Sequence, residues 1–420
     1  MISHLRQDVI NLPYGRKTIA LSKPPNLQDI LTAREETAIS VKDALQNILQ
    51  NPLGCAPLVQ RLRRYDKIAI IIPDKTRRCP TVEILPPLLA ELERGGAGPI
   101  TLIIAYAAHS SHPWQELGLA RNLGRKITIS PSAAERREDF VKIGSLPLFP
   151  FGLKKSIRIH KAAAQADLVI VIGSIFPHPM AGYSGGAKGI IPGVASSATI
   201  RLNHGLMFHR RSRWGVLKGN KCREDLEAGA RLLPNVFLIN AVYDGRKNVV
   251  GLVGGDLLTA HRAGVNRVRE IGEVAAEKAD IVIVSDGYPE TMNVFQTLKL
   301  IVPASHVVKS GGIIICAGEC PEGTGEMTFL HRLIHHLITN KNMPRGVTVY
   351  LFSEAKSPAR LPHFIRPIPS LEEGIRLGLR KAGKNASLTV LPGASLLLPR
   401  TMEKQVIFKS PGVDNPASRF

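Results

Sequence analysis

Eight short apolar, β-branched runs punctuate the chain, at residues 67–73, 100–106, 166–173, 236–243, 279–285, 312–317, 347–352 and 388–392. Their apolar positions are consecutive rather than alternating, which predicts strands buried on both faces, as in parallel sheets. Between them the period changes. Residues 82–94 carry Leu85, Leu88, Leu89 and Leu92 at helical spacing, and 223–233, 332–338 and 371–381 read as helices too. A longer helix rich in Ala, Arg and Glu is predicted over 258–278. Strands alternating with helices imply an α/β fold with largely parallel sheets covered by helices. At 420 residues the chain exceeds one ordinary core. A cut before the strand at 279–285 gives an N-terminal α/β domain at 1–275 and a smaller C-terminal α/β domain at 276–420. The functional site is expected in the cleft between them, because ligands of parallel α/β sheets sit beyond the carboxyl ends of the strands. Residues 409–420, with two Pro and a Gly among polar residues, are expected to fray.

Composition narrows the function. Hydrophobic residues make up 44%, enough for sizeable cores, and the 37 Gly and 30 Pro are spread along the chain, which excludes a low-complexity class. Lys and Arg total 55 against 34 acids, a formal charge of +21, densest over 209–223. That balance favours anionic partners: a phosphorylated cofactor, a carboxylate substrate or nucleic acid. Aromatic residues are only 5% and do not interleave with the basic ones, so no stacking platform for nucleic acid is expected. Cys55, Cys79, Cys222, Cys316 and Cys320 are odd in number and scattered, which gives no disulfide framework, and no zinc-like pairing surrounds them. The first residues carry charges and lack a long apolar stretch, and no run of about 18 uncharged apolar residues occurs, so neither a secretory signal nor a membrane helix is expected. A cytoplasmic location is the expectation.

Candidate chemistry gathers just after the strands. Asp74 and Arg77 lie three apart behind the first run; Arg supplies a planar fork for carboxylate or phosphate, and Asp74 can orient it. A helix-capping Asp beside a surface Arg is the plainer alternative. His109 closes the second strand, where a near-neutral imidazole could take a hydroxyl proton or merely be structural. The segment 176–204 is the most informative. It holds His178, then Gly185, Gly186, Lys188, Gly189 and Gly193, then His204. Its glycines let a bulky group approach the backbone and turn N–H groups toward an anion. It is not a phosphate-binding Walker loop, because Ala187 and Gly189 flank the Lys. A flexible turn with an exposed Lys is the alternative, weakened by the two flanking His, a residue type that commonly ligates late transition metals. After the strand ending near Ser285, Pro289 suits a helix start, and Gln296 and Lys299 then share a face beside Phe295.

Together these elements resemble the nickel-dependent lactate racemase family, whose cofactor is the nickel-pincer nucleotide, nickel pyridinium-3,5-bisthiocarboxylate mononucleotide. The 181–195 stretch, Ala-Gly-Tyr-Ser-Gly-Gly-Ala-Lys-Gly-Ile-Ile-Pro-Gly-Val-Ala, is the specific signature. Lys188 lies ten residues after His178 and sixteen before His204, which also fits, and the segments 219–225 and 316–325 look similar. The resemblance implies that Lys188 holds the nucleotide through a thioamide link, within a pocket that includes Asp74, Arg77, Gly185 and Gly186. It implies His204 as the protein ligand to nickel and His109 and His178 as two general bases, one for each enantiomer. Arg77 and Lys299 would clamp carboxylate or phosphate, with Gln296 and Phe295 completing the substrate pocket. A small 2-hydroxy acid would be racemised or epimerised through a 2-oxo acid, the carbon-bound hydrogen leaving as hydride because it is a poor acid beside a carboxylate. Proteins that build the cofactor and insert nickel would be required partners. Two positions depart from the family's common pattern. Ser110 stands where an Arg often follows the first His, and Phe295 stands where Tyr is common. Both leave larger 2-hydroxy acids open as substrates. A nickel-free phosphate- or carboxylate-binding α/β enzyme using Lys188 as a plain cation is the rival reading, and a nucleic-acid-binding protein a more distant one.

Overall fold

The computed structural model describes residues 9–401 apart from 108, 110–112, 114–116, 120–126, 149–152, 326–340, 342 and 356–360. Two six-stranded sheets carry the architecture. The first runs Val249–Gly255, Val236–Tyr243, Leu168–Ser174, Ile68–Pro73, Ile100–Ala107, Ile127–Ala133 from edge to edge. It is parallel except for the antiparallel pairing of Val236–Tyr243 with Val249–Gly255. The second runs Ile365–Ile368, Thr348–Phe352, Val308–Ala317, Ala279–Ser285, Leu388–Pro392, Leu27–Ile30, parallel throughout. All eight apolar runs of the sequence lie on strands of these sheets, so the α/β fold with largely parallel sheets is what the chain adopts.

Consecutive apolar positions are used as the pleat requires. In Ile68–Pro73, Ile68, Ile70 and Ile72 face the helices Val41–Gln50 and Thr81–Arg94, while Ala69 and Ile71 face the opposite core with Ile190, Ile191 and Leu226. In Ala279–Ser285, Val282 and Val284 share a core with Leu298 and Ile301. Ile281 and Ile283 pack on the other face, toward the helix Leu371–Ala382. The first of those cores is continuous with Tyr183, Trp214 and Val242 of the first sheet's side, so the two units share apolar packing.

Three expectations need correction. The division at 275 separates the two sheets only from residue 68 onward: Leu27–Ile30 forms the edge of the second sheet, against Leu388–Pro392. The antiparallel hairpin Val9–Tyr14/Lys17–Ser22 buries Ile10, Leu12, Tyr14 and Leu21 on that sheet's outer face. Short alternating segments of this kind carry little periodic signal, and their partners lie more than 200 residues away. Next, the helix expected over 258–278 ends at Gly272, and Glu273–Ala276 runs as a strand beside Leu398–Thr401. Gly272 sits so close to the Leu396 carbonyl that a Cβ would lie 2.2 Å from it, which forces glycine there. Finally, Pro289 does not open a helix; the turn Val294–Thr297 begins after Asn293, whose side chain accepts from the Gln296 N–H at 3.0 Å. The helix expected at 332–338 and the tail at 409–420 lie outside the described residues. Among the described residues no helix is long and apolar enough to cross a membrane.

The N-terminal hairpin is therefore core, and a core truncation in it has a predictable cost. Leu21 is 1% exposed. Leu21→Ala should lower the unfolding free energy by about 2–4 kcal/mol, read by urea denaturation at constant slope. A loss below about 1 kcal/mol would mean that the hairpin is not part of that core.

Candidate active site

The carboxyl ends of the first sheet's strands open onto one cavity, and the second unit closes it. Asp74, Thr76, Arg77 and Arg78 follow Ile68–Pro73; His109 follows Ile100–Ala107; Phe176 and His178 follow Leu168–Ser174. Glycines 185 and 186 and Lys188 form the floor, and Glu290, Gln296, Lys299, Leu300 and Ser395 come from the second unit. Among the described residues, three ionic contacts span the units around it. Arg78 grips Glu290 at 3.0 and 3.1 Å, Lys75 meets Glu322 at 3.1 Å, and Lys247 reaches Asp286 at 3.3 Å.

The floor is held by backbone geometry. Gly185 and Gly186 have φ of +69° and +58°, a region that costs any L side chain. A Cβ on Gly185 would also lie 2.5 Å from the Asn240 amide oxygen, and one on Gly186 2.7 Å from the His261 ring. Asn240 accepts the Gly186 N–H at 2.7 Å, and His261 pairs with the Ser184 carbonyl at 2.9 Å. Beneath lies Arg223, fully buried, donating to the carbonyls of Ala181 (3.1 Å), Tyr183 and Gly185. Burial lowers the Arg223 guanidinium to about 10, against the pull of Glu227, so it remains a cation under the loop. Sequence reasoning passed over Arg223, Asn240, His261 and Thr76. Asn240 did leave a signal, as the lone polar residue of a fully buried strand.

The charges respond to burial as physical chemistry demands. Burial pushes the Lys188 amine down to about 7; Cys222 opposes this, and the Arg77 and Arg223 cations reinforce it. Lys299 is held well below its ordinary value by burial, then by Arg77 and Lys188. Its Nζ donates to Gln296 Oε1 at 2.5 Å and lies 5.1 Å from the centre of the Phe295 ring. Asp74 goes the other way. Burial would raise its carboxyl, but His109, Arg77 and Thr76 outweigh that and hold it down at about 2.

The three histidines differ in what they offer. His109 Nδ1 lies 2.6 Å from Asp74 Oδ2; an ionised carboxylate only accepts, so the ring donates through Nδ1. The same carboxylate takes the Thr76 N–H and hydroxyl on Oδ1, at 3.1 and 2.6 Å. Asp74 thus serves His109, where the sequence suggested a partner for Arg77. His178 Nδ1 accepts the backbone N–H groups of Met180 (3.3 Å) and Ala181 (3.2 Å). Burial, then the surrounding Lys188, Lys299, Arg77 and Arg223 cations, keep it neutral. His204, on the helix Ser197–Gly205, donates Nδ1–H to the Ile200 carbonyl at 2.9 Å, leaving Nε2 bare. Burial, then the Lys188 charge, lowers its pKa to about 4. A bare, neutral Nε2 with its other nitrogen tied to a carbonyl is the form in which imidazole ligates metals. Among the described residues no group of three or more His, Cys, Asp or Glu side chains is placed to hold a metal. Ser110, one of the two positions that depart from the pattern noted in the sequence, lies outside the described residues.

Known proteins match along most of this length. A model of the lactate racemase N-terminal domain matches residues 14–215, and one of the lactate racemase C-terminal domain matches 274–351. The lactate racemase of Thermoanaerobacterium thermosaccharolyticum is 33% identical over 326 residues, 75% of each chain. That of Lactiplantibacillus plantarum is 33% identical over 336 residues, covering 77% of this chain and 78% of that one. The solved apoprotein of the Thermoanaerobacterium enzyme superposes with a TM-score of 0.83 at 28% identity, covering 93% of this chain and all of the other.

A depressed Lys188 is measurable. With its amine near 7 it should be roughly nine-tenths deprotonated at pH 8, against under about 1% for an ordinary lysine. Labelling with a small amine-directed reagent, followed by peptide mass spectrometry, should give a Lys188 rate that levels off by about pH 8. A rate still climbing through pH 10 would contradict the burial argument.

Proposed function

The chain belongs to the lactate racemase family, and from that premise we propose that it is an isomerase inverting the hydroxyl-bearing carbon of a small 2-hydroxy acid, lactate or a larger relative, with a nickel-pincer nucleotide on Lys188. The observation that carries this reading is the convergence of Lys188, Arg77, Lys299, His109 and His178 on one cavity beside a neutral His204. The residues present fit such a group. A lysine amine with a pKa near 7 is a nucleophile at neutral pH, as an acyl-type link to Lys188 requires. His204 offers one bare nitrogen, which suits a metal whose other donors arrive with the nucleotide. Gly185 and Gly186 leave the floor free of side chains where a flat ring would lie.

When bound, the nucleotide supplies a reversible hydride acceptor. The protein's own groups do the rest. Arg77 and Lys299 are the cations placed to hold a substrate carboxylate, and Lys299 is kept in line by Gln296 and Phe295. His109 takes the hydroxyl proton on Nε2, and Asp74 stabilises the imidazolium so formed. The second unit, tied across the cleft by Arg78–Glu290 and Lys247–Asp286, excludes water while the 2-oxo acid is held. A planar 2-oxo acid that takes hydrogen back on its other face gives the opposite enantiomer. We place the protein in the cytoplasm, beside the enzymes that build the nucleotide and insert nickel.

Co-expression with a pincer-synthesis pathway and nickel, followed by denaturing mass spectrometry, tests this. A nucleotide-sized mass on Lys188, absent from Lys188→Ala, and interconversion of a 2-hydroxy acid's enantiomers are the expected results. His204→Ala should keep the covalent mass and lose nickel at least tenfold. If a known family member is loaded in the same host while this chain stays unmodified, the cofactor reading fails and Lys188 becomes a simple anion site.

A further inference from the structure

His204 is presented from a short helix, Ser197–Gly205, so the place of its Nε2 depends on how that helix is held. The ring's own bond goes to the Ile200 carbonyl within the same helix, which fixes its rotation but not the helix. The helix is fixed by an antiparallel strand pair, Phe140–Leu148 with Leu153–His160, that belongs to neither six-stranded sheet. At the helix's start, Thr199 Oγ1 accepts the Arg158 N–H at 3.1 Å, and the Ser196 N–H donates to the Arg158 carbonyl at 3.0 Å. At its end the buried Asn203 side chain carries the connection. Its Nδ2 donates to Asp225 Oδ2 at 2.8 Å and to the Cys222 carbonyl at 3.1 Å, and its Oδ1 accepts from the Cys222 thiol at 3.4 Å. The other carboxylate oxygen, Asp225 Oδ1, lies 2.5 Å from Lys155 Nζ, and the Lys155 side chain is 3% exposed.

A buried ion pair adds little net stability, because stripping water from two charges costs about what their attraction returns. Its consequence here is geometric. Lys155 commits the Asp225 carboxylate to one orientation, and that orientation offers Oδ2 to Asn203. Two acceptors on Nδ2 and one donor on Oδ1 then leave the Asn203 amide a single way round. Asn203 and His204 are consecutive on the last turn of one helix, so holding the first holds the second. We propose that Lys155, Asp225 and Asn203 are positioning residues for His204, a relay that runs from a buried ammonium to the helix end and sets where Nε2 stands relative to Lys188. None of the three lines the cavity, so they act through His204 and not on a substrate. That Nε2 receives nickel rests on the racemase reading above; that the relay holds the helix does not.

Two variants and a control test this. Asn203→Leu roughly keeps the volume and the Lys155–Asp225 pair but frees the helix end. Lys155→Met combined with Asp225→Leu replaces the pair by apolar residues of similar size, an exchange that folds commonly tolerate, and takes one acceptor from Asn203. Leu21→Ala destabilises the distant hairpin and leaves the relay intact. In protein without cofactor, amide hydrogen exchange over 197–205 should speed up about tenfold or more in Asn203→Leu, and about fivefold in the double variant for one lost hydrogen bond, with 68–73 unchanged in both. In loaded protein, a chelator should strip nickel about tenfold faster or more from Asn203→Leu while the covalent mass on Lys188 stays. Leu21→Ala should keep its nickel as the wild type does. If Asn203→Leu does not fold, the double variant decides by the same two readouts. Unchanged exchange over 197–205, or nickel held as firmly as in the wild type, would overturn the proposal. Nickel lost equally from Leu21→Ala would overturn it too, since lowered stability alone would then be enough. A wild type that takes up no nucleotide, with the expected exchange pattern, would remove the racemase reading and leave the relay standing.

Discussion

Positive charge held in a partly dry cleft is the constraint from which the rest of the site follows. Arg77, Lys188 and Lys299 line the cavity with Arg223 just below, while Asp74 is committed to His109 and Glu290 to Arg78. Water cannot relax these cations fully, so the groups able to shed a proton are pushed toward doing so: Lys188, Lys299, His178 and His204 are all lowered. The Arg77 and Arg223 guanidiniums set the field. The cleft stores an electrostatic demand that an anionic ligand meets. The same surroundings lower the Lys188 amine to about 7 and keep His204 neutral; the proposed 2-hydroxy acid and phosphorylated nucleotide are both anions of the kind such a field would attract.

The fold exists in large part to hold that charge in place. Parallel strands deliver Asp74, His109 and His178 to one edge, and each is then fixed by a short-range contact: a carboxylate on His109, two backbone N–H groups on His178 and the Ile200 carbonyl on His204. The loop carrying Lys188 is pinned from below by Arg223 and from the side by Asn240. Preorganisation of this kind spares a reaction the cost of aligning dipoles when charge moves. The second unit brings Gln296 and Lys299 to the cavity in one piece, since both belong to the same short helical stretch that packs Leu298 and Leu300 into the shared core.

The sequence revealed what depends on runs and on spacing. Buried strands such as Ile68–Pro73 and Ala279–Ser285 are apolar along their whole length, and strong runs leave little room for another assignment. The polar groups after those strands were legible as a site because chemistry at strand ends is a property of the fold class. What escaped depends on partners far away in sequence. Leu27–Ile30 is a strand only because Leu388–Pro392 offers it an edge, and Arg223 matters only because the 181–185 carbonyls fold over it. Asp74 reads as a cap or an arginine partner until His109, 35 residues on, is seen against it. Tautomers are further still from the sequence, since they follow from which nitrogen finds which neighbour.

In the proposed inversion the carbon-bound hydrogen leaves and returns as hydride within the closed cleft, without exchange with water. This is tested most directly by supplying the loaded enzyme with a 2-hydroxy acid deuterated at C2, in ordinary water, and following the opposite enantiomer by mass spectrometry and NMR. Hydride transfer requires the product to keep its deuterium at C2 through the first turnovers while its hydroxyl proton exchanges freely. Product appearing with hydrogen from solvent at C2 would mean that the bond breaks by loss of a proton, and the hydride account would be wrong.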